Sequence, residues 1–361
     1  MTKFFYIFFL LSKTKFEFSL PKKCDILCYD QGKRFNNDIR KIFNKFRVDV
    51  IFVRLEKINF IIILKSILSK ILNFKLSLKN HYIKNYYYQT QPKVILSSSY
   101  YDKSFLFIKK IIPNDCKIIL VQRCPYKDTD FNTKKNKPTI DQTYLFNKRS
   151  QLMIRNYINS REFILGSFRN NFQKKNKKKD INILFISGYK KIFEIFSQEN
   201  KENFLDTIHE KKLVRAILNN FSKKYKVKIL LKSDVKKIDY LNFSEVDKRY
   251  VLLNDGNPYK FLDQSNLVIT LNNGTMGHEA ISRGIKNIQL PRKKKNNLIR
   301  FHIFQDGFNE IKINNFISHM IRMKDIIYFK KMKRFKKDII FFDYKNSLLI
   351  RNVTKLIDQR K

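Results

Sequence analysis

The sequence predicts an α/β protein built from two Rossmann-like domains with parallel sheets facing a cleft. Three observations carry this. Short apolar runs alternate with helix-period runs along the 361 residues, which is the pattern of parallel βαβ units. The pattern restarts after a polar, cationic stretch near the middle of the chain. Finally, Asn266 to Gly284 (NLVITLNNGTMGHEAISRG) passes from an apolar strand through a glycine-bearing loop into a helix. A length of 361 residues suits about two domains at ~150 residues each.

In the first half, Cys24–Tyr29 reads as a strand leading to Asp30, Gln31 and Gly32, and Asn36–Phe46 as a helix. Val48–Val53 is a second strand and Phe60–Asn73 an amphipathic helix, interrupted by Lys65, Ser66, Ser69 and Lys70 and so not a membrane span. Val94–Ser97 is a third strand, Ser104–Ile112 a helix stopped by Pro113, and Lys117–Gln122 a fourth strand. The run QKKNKKKD marks a linker, and Ile181–Ile186 restarts the pattern, ending at Ser187-Gly188-Tyr189. A helix over Glu202–Tyr225 and strands at Val227–Leu231, Tyr250–Leu253, Leu267–Leu271 and Asn287–Leu290 follow, with a short helix opened by Asn257-Pro258-Tyr259. From Lys312 on the chain is helical and basic. The expected divisions are residues 1–165, a linker at 166–180, a second domain at 181–310 and a C-terminal helical segment at 311–361.

Composition bounds the partners. The 75 Lys+Arg against 31 Asp+Glu give a formal charge of +44. That excess points to nucleic acid or an anionic membrane. The alanines are only Ala216 and Ala280, while Phe, Ile, Asn and Lys abound. These are residues of A/T-rich codons, so much of the lysine reads as solvated surface. No specific nucleic-acid motif is present; peripheral contact with an anionic membrane stays open. Phe4–Leu11 (FFYIFFLL) is too short to span a bilayer and no small-residue cleavage site follows it, so it reads as a core strand or docking segment. Cys24, Cys28, Cys116 and Cys124 form no paired C-x-x-C set, which fits a reducing cytoplasm. No metal spacing joins the histidines, and no cofactor is expected.

The 266–284 segment points backbone N–H groups at a loop mouth, and a helix start attracts anions. Asn273, Gly274, Thr275, Met276 and Gly277 form that mouth, and Glu279 stands one turn in to accept hydroxyls. A phosphate joined to a sugar, as in a nucleotide-sugar donor, matches this. Alone, such a unit is common to α/β domains that bind nothing.

An ordered set of segments adds to it: CDILCYDQG, VRLEKINFIIILKSIL, QPKVILSSSYYDKSF, IILVQ, TYLFNK, LGSFRNNF, ILFISGY and YKFLDQSNLVITLNNGTMGHEAISRG. Over roughly residues 20 to 310 the chain resembles bacterial surface-carbohydrate biosynthesis proteins of GT-B glycosyltransferase type. The resemblance implies an acceptor-side first domain, with Gln122 and Arg123 facing the cleft, and a donor-binding second domain. It implies a metal-independent transferase acting on a glycan or lipid-linked acceptor in the cytoplasm, with a peripheral place at the inner membrane face left open. Ser187, Gly188, Lys232 and Arg283 would join the 273–279 set around the diphosphate, and Asp30 or Asp102 would be the base, although each also suits a helix cap. His278 reads as structural. A polyol-phosphate transferase of teichoic-acid type and a non-catalytic basic nucleic-acid or membrane-binding protein are the alternatives.

Overall fold

The computed structural model describes residues 14–29, 32–53, 57–124, 136–175, 180–189, 201–254, 257–270, 275–289 and 309–359, with the side chains of 33, 34, 201–207 and 334 left aside. Phe4–Leu11, Asp30, most of the lysine run after Lys175, and Asn273-Gly274 therefore lie outside the described residues. Two compact units form, one from Met1–Phe172 with Asp343–Lys361, the other from Gln173–Phe342.

The first unit runs β1 (Lys15–Glu17), β2 (Ile26–Tyr29), α1 (Lys33–Ile42), β3 (Val48–Ile51), β4 (Lys57–Asn59), α2 (Phe60–Leu72), α3 (Leu78–Thr90), β5 (Val94–Ser97), α4 (Lys103–Leu106), β6 (Lys117–Val121), β7 (Thr139–Leu145), α5 (Lys148–Ile154), β8 (Asn159–Ile164) and α6 (Phe168–Phe172). Six strands make one parallel sheet in the order β3-β2-β5-β6-β7-β8, and β1 pairs with β4 in a separate two-stranded parallel sheet. The central strands are apolar throughout because helices cover both faces. Phe35, Ile39 and Phe43 recur one turn apart and place α1 and the turn after it on one face. The side chains of Asn59 and Ser77 accept from Ile62 N and Asn80 N and so start α2 and α3. Sequence patterning reads four strands here; β7 and β8 extend the sheet, and the expected helix over 104–112 is a short α4 followed by a 3-10 turn at Ile108–Lys110.

The second unit runs β9 (Ile181–Ile186), α7 (Lys201–Phe221), β10 (Val227–Leu230), α8 (Lys237–Ser244), β11 (Val251–Leu252), α9 (Tyr259–Asp263), β12 (Ser265–Thr270), α10 (Thr275–Ser282), β13 (Lys286–Gln289), α11 (Glu310–Arg322) and α12 (Asp325–Met332). Its parallel sheet has the order β11-β10-β9-β12-β13. α7, α11 and α12 bury one face of it; α9 and α10 bury the other.

The last helix, α13 (Ser347–Asp358), belongs elsewhere. Its Leu349, Val353 and Ile357 pack with Ile26, Cys28 and Val94 of the first unit. Asn171 holds the approach to it, donating to Asn346 Oδ1 at 3.1 Å and accepting from Asp343 N at 3.0 Å. The expected single segment 311–361 is thus divided at Phe342/Asp343, because the apolar stripe of α13 completes the first unit's core. Likewise α6, inside the expected linker, packs in the first unit.

Candidate functional site

In a doubly wound sheet, ligands bind at the carboxyl ends of the strands where strand order reverses. In the second unit the chain lays β10 and β11 to one side of β9, then returns to place β12 on the other. The reversal therefore lies between β9 and β12, whose carboxyl ends are Ile186 and Thr270.

After β9, Ser187 donates to Glu210 Oε1 at 2.5 Å, Gly188 N donates to Glu210 Oε2 at 2.8 Å, and Tyr189 N donates to Ser187 Oγ at 3.1 Å. From the end of β10, Lys232 Nζ donates to Gly188 O at 2.9 Å. A Cβ on Gly188 would stand 3.2 Å from Glu210 Oε2, so glycine lets the backbone close on the carboxylate. The structure thus brings together Ser187, Gly188 and Lys232, and adds Glu210 of α7, which the sequence reading missed. Burial pushes the Glu210 carboxyl up to about 7, against the hydrogen bonds from Ser187 and Gly188 and the charge of Lys232. A signal was present: Glu210 stands on the stripe of Leu213, Val214 and Ile217, which faces the core.

Beyond β12, Thr275 and Met276 are partly exposed at the start of α10, while Gly277, His278 and Glu279 are buried. A Cβ on Gly277 would lie 3.0 Å from each of Thr270 Oγ1, Asn287 Oδ1 and Gln289 Nε2. Glycine is needed here because α10 rests on polar side chains of β12 and β13. Thr270 and Gln289 are register partners, as are Val268 and Asn287, so the three polar groups share one sheet face. Among the described residues, Thr270 Oγ1, Asn287 Oδ1, both amide atoms of Gln289 and both ring nitrogens of His278 have no hydrogen-bond partner. Burial pushes His278 down to about 4, so the ring is neutral at neutral pH.

Several expected roles are revised. Glu279 is 3% exposed and accepts from Tyr259 Oη at 3.3 Å, so its carboxylate points into the unit rather than at a solvent-side hydroxyl. Arg283 does not offer its charge to a diphosphate. Its guanidinium, fully buried, makes two 2.5 Å bonds to Asp263, reaches the carbonyls of Gln173 and Lys174, and lies over Tyr259 and Phe342.

In the first unit Asp102 is the N-cap of α4, accepting from Ser104 N at 2.9 Å. It also accepts from Tyr29 Oη at 3.0 Å and from Lys79 Nζ at 2.8 Å, which leaves it committed as a structural carboxylate. Gln122 is buried and brackets the turn after β6, donating to Cys124 O at 2.9 Å and accepting from Phe146 N at 2.7 Å. Arg123 beside it is exposed. Asp30, Asn273 and Gly274 lie outside the described residues. Among the described residues no cluster of three His, Cys, Asp or Glu is placed to hold a metal, and no helix is long and apolar enough to cross a membrane.

A family model described as "putative O-antigen biosynthesis protein" matches residues 126–357. No curated protein matches the sequence. Among solved structures, the glycosyltransferase of kitacinnamycin is similar with a TM-score of 0.51 at 11% identity, over 93% of this chain and 100% of that one. Spinosyn forosaminyltransferase SpnP is similar with a TM-score of 0.52 at 9% identity, over 93% and 99%. Spinosyn rhamnosyltransferase SpnG, complexed with thymidine diphosphate, gives 0.51 at 9% identity, over 91% and 99%. At such identities the likeness is one of fold. The match over well over half of its length means that this chain belongs to the O-antigen biosynthesis family, with an α/β fold of parallel sheets similar to that of GT-B glycosyltransferases.

Proposed function

We propose that this protein is a metal-independent glycosyltransferase of bacterial surface polysaccharide biosynthesis. It takes a sugar from a nucleotide-sugar donor and places it on a glycan or lipid-linked acceptor, in the cytoplasm at the inner membrane face. The reading rests chiefly on one observation. The Ser187–Gly188 turn and the start of α10 stand at the carboxyl ends of β9 and β12, on either side of the strand-order reversal.

In this reading the donor diphosphate lies against the first N–H groups of α10, which have no partner within the helix, and against the Thr275 hydroxyl. Met276 and Gly277 carry the backbone there, with Asn273 and Gly274 before them in the chain. Ser187 and Gly188 supply the opposite wall, held in shape by Glu210 and Lys232. Glu279 keeps α10 seated through Tyr259. When the acceptor oxygen attacks the anomeric carbon, the bond to the diphosphate breaks and its charge passes to these donors. Of the two candidate bases, Asp30, next after β2 in the chain, keeps the role; the Asp102 carboxylate is already committed. Arg123 is exposed and remains on the acceptor side.

Calorimetric titration with nucleoside diphosphates and nucleotide-sugars tests this. Wild type binds at least one of them in the micromolar to millimolar range usual for substrates. Thr275→Val weakens that binding without changing the thermal unfolding temperature. If no member of the panel binds at millimolar concentration, the transferase reading is wrong.

A further inference from the structure

Helix α2 has its polarity reversed. The side it turns inward carries Ser66 and Ser69, whose hydroxyls donate to Ile62 O and Lys65 O and accept from Asn85 Nδ2 at 3.1 and 3.3 Å. Ile62 and Ser66 are its fully buried residues. Its outer side carries Phe60, Leu64, Ile67, Leu68, Ile71 and Leu72, spaced at helical period and all exposed, Leu68 at 62% and Leu72 at 86%. Phe18, 66% exposed, lies against Phe60 with ring centroids 5.3 Å apart, and Phe74 extends the stripe past the helix end at 74% exposure. A soluble helix turns such a stripe inward; an outward one marks an interaction surface.

Its charge setting identifies the partner. From Lys57 to Tyr101 the chain contains seven lysines and neither Asp nor Glu; Lys57 pairs with Glu17 and Lys79 with Asp102, and the other five make no ion pair among the described residues. Lys70 caps the end of α2 by donating to Phe74 O and Leu76 O, while Lys65 and Lys75 are exposed and make no ion pair among the described residues. A second copy of this face would set lysine against lysine. An anionic lipid surface satisfies both halves, the acyl boundary taking the leucines and the headgroups the ammonium groups. Thirteen residues at ~1.5 Å each are too short to cross a bilayer but suit a helix lying in its plane.

We propose that the outer face of α2, continued by Phe18 and Phe74, is a membrane-docking surface selective for anionic lipid. It deepens the inner-face reading above but stands apart from donor binding, which the variants below leave intact.

Cosedimentation of the full chain with vesicles tests it. Wild type pellets with phosphatidylglycerol-containing vesicles and remains in solution with phosphatidylcholine alone. Leu68→Gln/Leu72→Gln lowers partitioning on the order of tenfold or more, and Lys65→Glu/Lys75→Glu lowers it and weakens its salt dependence. These side chains are exposed, so thermal unfolding and nucleotide titration are unchanged. Wild type failing to pellet with anionic vesicles, or the leucine pair pelleting as wild type does, overturns the proposal. So does a wild-type dimer in analytical ultracentrifugation that Leu68→Gln/Leu72→Gln dissolves, since the face then belongs to a second copy.

Discussion

The sequence-flagged polar side chains of the first unit and the polar side chains beneath α10 of the second are treated in opposite ways. In the first unit Asp102 is shared among Ser104 N, Tyr29 Oη and Lys79 Nζ, and Gln122 spends its amide on Cys124 O and Phe146 N. In the second unit, around α10, Thr270 Oγ1, both side-chain amide atoms of Gln289, both ring nitrogens of His278 and Asn287 Oδ1 meet no hydrogen-bond partner among the described residues. Unsatisfied buried groups are costly, and they collect where a protein has a use for them. The contrast teaches that the first unit's sequence-flagged residues are largely architecture. The second unit keeps unmet polar demand around the helix on which donor binding is proposed.

The contrast can be broken deliberately. Arg283→Ala gives the largest effect, because it removes the buried guanidinium that makes two hydrogen bonds to the buried Asp263 carboxylate; a loss of about 3–5 kcal/mol in denaturant unfolding is expected.

Two opposed titrations come next. The folded state raises Glu210 from 4.5 to about 7, so it binds the proton more tightly than the unfolded chain does. That contribution is full below pH 4.5 and is lost as pH rises through about 7. The folded state lowers His278 from 6.5 to about 4, so that contribution is full above pH 6.5 and is lost as pH falls through about 4. Each difference corresponds to about 3 kcal/mol. Over the overlapping window these two contributions cancel. Glu210→Gln makes stability rise more steeply with pH there than in wild type; His278→Leu makes it fall relative to wild type. Unfolding midpoints measured across pH 4.5–6.5 check both signs.

Smaller effects follow. Gly277→Val pushes on Thr270, Asn287 and Gln289 together and costs about 1–3 kcal/mol. Thr270→Val removes a hydroxyl that has no partner among the described residues, so stability holds or rises by about 1 kcal/mol or less. The reverse experiment, Gln122→Leu in the first unit, strands Phe146 N and Cys124 O and costs about 1–3 kcal/mol, the opposite sign from Thr270→Val.

The strands legible in the sequence were short apolar runs set between turn signals, both central ones such as ILCY, VILS, KIILV, INILFI and SNLVIT and the edge strands VDVI, VL and KNIQ. β7 was not legible because Asp141 and Gln142 interrupt it, and Asp141 is there to accept from Ile118 N and Lys109. β8 was not because its run NSREFI opens on polar residues and no residue of it is fully buried. In the candidate site, position along the chain located Ser187, Gly188 and Thr275. It did not reveal that Arg283 is tied to Asp263, or that Glu210 closes on the Ser187–Gly188 turn, because each pairing joins residues on separate elements. A carboxylate among the lysines of α7 resembles a solvated one until its burial is known.

Hydrogen exchange resolved to short peptides, with and without a saturating nucleoside diphosphate, tests the assignment most directly. Protection at Ser187–Tyr189 and in the first turn of α10, with the first unit's exchange unchanged, is the expected result. Protection confined to the first unit, or none with a nucleotide shown to bind, contradicts it.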